Sequence, residues 1–120
     1  MANTFKIASV ANVANGSYST LYTTPAATTT VVLGLSLANK TTNAVTIQCQ
    51  FTDASDSNAT RQLLENVSIP ANTTLELFAG QKYILEAGDI LKLKAGTGSA
   101  IDAVLGCLLY TSPSPRDGSI

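Results

Sequence analysis

From Val45 to Thr52 the chain changes character at every residue. Val45, Ile47, Cys49 and Phe51 are apolar, and Thr46, Gln48, Gln50 and Thr52 lie between them. Only an extended strand sends alternate side chains to opposite faces; on a helix these residues would spread around the axis. A half-buried strand is therefore expected over residues 44–53. The same period of two returns in residues 73–78 through Leu75 and Leu77. It returns in 90–95, where Leu91 and Leu93 oppose Lys92 and Lys94, and in 101–105, where Ile101, Ala103 and Leu105 share a face.

Other segments are extended but less regular. Residues 4–13 carry Phe5, Ile7 and Val10 as apolar members, and residues 18–23 place Leu21 beside Tyr22. Residues 28–38 are so apolar, with Val31, Val32, Leu33, Leu35 and Leu37, that both sides are expected to be covered. Residues 61–69 are assigned to a strand rather than a helical turn, and 82–85 to a short strand. Turn signals such as Asn15-Gly16, Pro25-Ala26, Pro70-Ala71-Asn72 and Glu86-Ala87-Gly88-Asp89 separate these segments, with Gly88 expected at positive φ. About eight strands in 120 residues would leave an apolar face bare if they formed one flat sheet. An all-β, two-sheet sandwich is therefore expected, jelly-roll-like or Greek-key, in one domain.

Composition restricts the chemistry. The chain has no histidine and no tryptophan, which removes Ser/His and Cys/His nucleophile pairs and most transition-metal sites. Charged residues make up 12% against about 25% in ordinary domains, the net charge is −1, and no basic run exists to neutralise phosphates. Nucleic acid is therefore not an expected partner. Nor is a membrane, since no apolar run approaches the ~20 residues of a helical span. The opening Met1-Ala2-Asn3-Thr4-Phe5-Lys6 lacks the basic-then-apolar order of a signal peptide, so synthesis in a cytoplasm is expected.

The remaining candidates each have a structural reading that outweighs the chemical one. Asp53 and Asp56, with Ser55, Ser57 and Asn58, could offer oxygens to calcium, but the glycine and distant glutamate of an EF-hand loop are missing. Glu86 and Asp89 flank a tight turn whose backbone an aspartate can hold. Paired carboxylates for glycoside hydrolysis would also need a deep cleft. Tyr18, Tyr22 and Tyr83 could stack on sugars, or be half-buried strand residues. Gly96-Thr97-Gly98 lies between strands, as a hairpin loop and not a phosphate loop. Cys49 is expected as a buried free thiol. The five Asn-x-Ser/Thr sequons, at Asn15, Asn39, Asn58, Asn66 and Asn72, are what a chain crowded with Asn, Ser and Thr produces by chance. No catalytic residue, cofactor or metal is expected.

At Cys107 the texture changes. Cys107-Leu108-Leu109-Tyr110-Thr111-Ser112-Pro113-Ser114-Pro115-Arg116-Asp117 resembles, residue for residue, the translated read-through of a transposase-based sequencing adapter. That resemblance implies a sequence assembled from environmental DNA. It divides the chain into a sandwich domain, residues 1–106, and an adapter-derived tail, residues 107–120. It also implies that Cys107 is not native and that the last strand, begun at Ile101, is cut short.

The string Ala27-Thr28-Thr29-Thr30-Val31-Val32-Leu33-Gly34-Leu35-Ser36-Leu37-Ala38-Asn39 resembles small virion structural proteins of tailed phages, notably marine cyanophage-like myoviruses. So do Ile69-Pro70-Ala71-Asn72-Thr73-Thr74-Leu75-Glu76-Leu77 and Leu85-Glu86-Ala87-Gly88-Asp89-Ile90-Leu91-Lys92. The resemblance covers most of residues 1–106, and its motifs are sheet-and-turn patterns. It implies a non-enzymatic part of the tail, neck or head surface, made in a host bacterial cytoplasm and carried in the virion. Such a part would act by self-association as a homo-oligomer and by docking to other virion proteins. A carbohydrate- or host-surface-binding sandwich module is the alternative.

Overall fold

The computed structural model describes residues 2–78 and 83–111. Nine strands are assigned there: β1 (Ala2–Val10), β2 (Ser19–Thr23), β3 (Thr28–Asn39), β4 (Val45–Asp53), β5 (Ala59–Ile69), β6 (Thr74–Leu77), β7 (Tyr83–Leu85), β8 (Ile90–Ala95) and β9 (Ile101–Thr111). A single 3-10 turn, Ala54–Asp56, follows β4. One sheet runs β1-β9-β3-β6, with β7 beside β6 along the same flank of β3; the other runs β2-β8-β4-β5. We call them sheet A and sheet B.

The pairing has one simple order. β4 pairs β5, β3 pairs β6 and β7, β2 pairs β8 and β1 pairs β9, all antiparallel. The chain is thus one long hairpin, with its tip between β4 and β5. Two further pairings, β3 with β9 and β4 with β8, roll that hairpin into two layers. This is the jelly-roll-like sandwich expected from the alternation. The shortest dimension is 21 Å, which suits two sheets about 10 Å apart with one layer of side chains outside each.

The core lies between the sheets. Sheet A contributes Val32, Leu35, Leu37, Ile101, Ala103 and Leu105; sheet B contributes Val45, Ile47, Cys49, Leu91 and Leu93, all buried. Near the loop end of the sandwich Tyr83 stacks on Phe78, centroids 5.0 Å apart, and meets Phe51 edge-on at 5.9 Å. The hydroxyl of Tyr22 is 2.8 Å from Thr30 Oγ1, a polar bridge from β2 to β3. Burial raises the Tyr22 pKa, partly offset by that hydrogen bond.

Polar side chains hold the turns. The Asp89 carboxylate is buried and accepts from the backbone N–H of Ala54 (2.9 Å) and of Glu86 (2.8 Å). Its own carbonyl accepts from Thr24 N–H at 2.8 Å, so one residue ties the ends of β2 and β4 to the β7–β8 turn. That turn carries Gly88 at φ +86°, as its sequence requires. Three sequon asparagines, Asn58, Asn66 and Asn72, have φ between +51° and +60°. Asparagine tolerates this left-handed region better than most residues, which gives these positions a conformational reason.

Lys40 and Asp102 form an ion pair of 3.0 Å at the other end, where Asn12 N–H also donates to Asp102 Oδ1 at 2.9 Å. The Asn12 N–H first, and the Lys40 ammonium second, lower the Asp102 pKa below its ordinary 3.8. A depressed carboxylate stabilises the fold above its unfolded-state pKa and loses that contribution as pH falls through the folded-state value. Asp102→Asn is therefore expected to be slightly less stable than the parent at neutral pH, with the gap narrowing as pH falls below the ordinary carboxylate value and through the lowered folded-state one. Urea unfolding at neutral and at acid pH checks this.

Two expectations are corrected. The last strand does not stop at residue 106: β9 continues to Thr111, with Cys107 and Leu109 buried and paired to β1 and β3. The apolar run Cys107-Leu108-Leu109-Tyr110 is compatible with a strand, and the two prolines lie beyond it. The rest of residues 107–120 lies outside the described residues. Second, β3 is not covered on both sides. Two layers leave each sheet one outer face, so Val31 is only half-buried and Leu33 is exposed.

Candidate assembly surface

The two outer faces are chemically unlike. On sheet B, Thr46, Gln48 and Gln50 are the outward side chains of β4, and the two glutamines are joined to polar neighbours; Thr52, the fourth polar member of the alternation, is buried. Gln50 donates to Gln62 Oε1 (3.1 Å), Gln48 donates to Glu65 (3.2 Å), and Gln62 donates to the Tyr18 hydroxyl (2.9 Å). The Lys94 ammonium lies 5.1 Å from the Tyr18 ring centroid. The polar half of the alternation, up to Gln50, thus forms a hydrogen-bonded surface.

Sheet A presents the opposite character. Register places Phe5 of β1 across from Leu108 of β9, Leu108 across from Val31 of β3, and Val31 across from Ile84 of β7. Four apolar side chains therefore lie in one row across the full width of the sheet. Phe5 is 76% exposed, Ile7 73% and Ile84 57%. Leu33, Val104 and Tyr110 extend the patch. Opposite Ile7, Gly106 and Gly34 face each other across β9 and β3, and a Cβ added at either would meet open space. Their missing side chains leave a groove of about 390 Å³, lined by Phe5, Lys6, Ile7, Leu33, Gly106 and Cys107. The row Ser9–Val104–Ser36–Glu76, polar except for Val104, borders the patch at one end; there Ser36 donates to Glu76 at 2.7 Å. Contiguous apolar surface rimmed by polar groups marks a binding or association site.

The sequence-level candidates are dispersed. Tyr22 is buried, Tyr83 stacks at the loop end and Tyr18 lies on the outside of sheet B, so the three do not make one sugar-stacking platform. Asp53 Oδ1 accepts from the N–H (3.1 Å) and hydroxyl (2.7 Å) of Ser55, while Asp56 faces Arg61 at 3.7 Å. Glu86 and Asp89 act in the turn already described. Phe5 and Ile7 had been counted among the apolar members of a strand, but they point away from the core; Ala8 and Val10 pack against it. Odd and even positions on β1 were the available signal.

The thiols belong to the interior. Cys49 and Cys107 are free and buried, and desolvation pushes the Cys49 pKa up to about 12. Burial also raises Cys107, against a smaller opposing effect of Lys6. Because the thiolate is the reactive form, neither thiol is expected to react with a disulfide reagent at about pH 8 until the protein is unfolded. Rapid release of chromophore from the folded protein would contradict this placement.

No family model matches the chain, and no curated protein matches it. Solved structures do. A chain of the T13 IBDV viral particle superposes with a TM-score of 0.52 at 10% identity, covering 89% of this chain and 30% of that one. This chain thus corresponds to less than a third of that particle protein. A chain of the cyanophage Pam1 capsid asymmetric unit gives a TM-score of 0.49 at 15% identity, covering 92% of this chain and 86% of that one. At 10% identity the likeness to the IBDV particle chain is one of fold alone.

Proposed function

We propose that this chain is a non-enzymatic structural protein of a virion, held there by self-association and by docking to other virion proteins. The observation that carries the proposal is the apolar row Phe5–Leu108–Val31–Ile84 on the outside of sheet A, opposed by a polar sheet B. One face can be buried against neighbours while the other keeps the assembly wetted. The sandwich shared with the IBDV particle chain supports this reading. The sequence resemblance to small tailed-phage proteins supports a finer placement on the tail, neck or head surface. With it goes a division into a native domain, residues 1–106, and an adapter-derived end, in which Leu108 and Tyr110 stand in for native residues of the same strand.

Size-exclusion chromatography with light scattering tests the proposal. A discrete oligomer is expected at micromolar concentration, and Ile84→Glu is expected to weaken association at least about tenfold by placing a charge in the apolar row. A chain that stays monomeric at every accessible concentration would overturn it. Glycan-array binding that is lost in Tyr18→Ala would instead favour the carbohydrate-binding alternative.

A further inference from the structure

Edge strands expose unpaired backbone groups, and proteins blunt them with bulges, short strands, charges or prolines. Of the four flanks of this sandwich, three are blunted. β2 is five residues long, has a register shift between Thr20 and Tyr22, and is soon followed by Pro25. β5 has two register shifts against β4, Asn66 at φ +51°, and the charges Arg61 and Glu65. The flank beyond β3 is divided between the four residues of β6 and the three of β7. β1 differs in length, in regularity and in having no proline. Its nine residues pair with β9 without a shift, contain no proline and carry one charge, Lys6. Among the described residues no strand pairs with its other side. The two most exposed apolar side chains, Phe5 and Ile7, also lie on it.

We propose that the open edge of β1 pairs antiparallel with β1 of a second copy, joining two A sheets across a two-fold axis. This rests on the self-association proposed above and adds to the apolar face a second contact, at the edge of the same sheet. A second copy is the occupant because it supplies the one other edge of the same kind, and a two-fold contact must use the same strand on both sides. The near-neutral chain, at net charge −1, offers little repulsion to such a contact. To keep both buried faces on one side of the joined sheet, residues of like parity must face each other, so the axis passes beside a residue. Centring on Lys6 would oppose two ammonium groups, which is unfavourable. Centring on Phe5 or Ile7 sets Lys6 against Thr4 or Ala8 and packs an apolar side chain against its own copy.

The test is disulfide trapping of the full chain carrying Phe5→Cys or Ile7→Cys, with Thr20→Cys on the β2 edge as control. Directly opposed strand residues have Cβ atoms about 4.5–5.5 Å apart, close enough to trap. Under mild oxidation, one of the two β1 variants is expected to give covalent dimer at least about tenfold faster than the control. Light scattering is run on the parent in parallel. An oligomer without trapping at either β1 position would overturn the β1 contact and leave self-association standing. A monomeric parent would overturn both.

Discussion

Asn39→Ala is expected to lower the unfolding free energy by about 3 kcal/mol or more, although it removes neither a core hydrophobe nor a charge. Asn39 ends β3 and is buried. Its Nδ2 donates to the carbonyls of Asn43 (2.8 Å), Ile69 (2.9 Å) and Pro70 (3.2 Å). Its Oδ1 accepts from the N–H (2.9 Å) and the hydroxyl (2.8 Å) of Thr41. One amide thus holds the β3–β4 turn to the corner after β5. Truncation strands buried carbonyls, each at about 1–3 kcal/mol. Asn39→Asp should rescue little, because it keeps the acceptor and loses both donors. The thermal midpoint should fall by roughly 10 °C in either variant. The same geometry removes Asn39 from the usable sequons, since its amide nitrogen is enclosed.

Leu105→Ala is expected to cost about 3–4 kcal/mol, whereas Val104→Ala, one residue away, should cost under about 0.5 kcal/mol. Leu105 is buried at the middle of sheet A, opposite Ala8 on one side and Leu35 on the other. Val104 points outward, beside Ser9 and Ser36. A slip of one residue would exchange the two faces of the strand. The pair of denaturation curves therefore reads the register of β9: equal losses would contradict the pairing, and a larger loss at Val104 would invert it.

The parts of the fold that could be read from sequence were those in which polarity alternates. β4 and β8 were placed to within a residue because Thr, Gln and Lys intervene between their core residues. β3 was located but misread in depth. Val31 and Leu33 looked like a second buried side, because an apolar residue facing a partner and one facing the core are the same letters. β1 was located without a facing: Phe5 and Ile7 are its largest apolar side chains, and hydrophobicity alone does not tell the core side from the outer side. The candidate surface consists largely of these residues. No local pattern could have assembled it, since the row from Phe5 to Ile84 is set by the registers of three strand pairs. β9 was ended early because residues 107–117 were read as an adapter-derived tail, although the apolar run before Thr111 can continue a strand.

Chemical labelling of single introduced cysteines, compared between dilute and concentrated protein, tests the division of labour between the two faces most directly. Cys49 and Cys107 are buried and are expected to remain silent in the folded state. Ile84→Cys would report sheet A, and Lys92→Cys would report sheet B. The account predicts that association slows labelling at position 84 by about tenfold or more and leaves position 92 unchanged. Protection at position 92 with position 84 still open would contradict it.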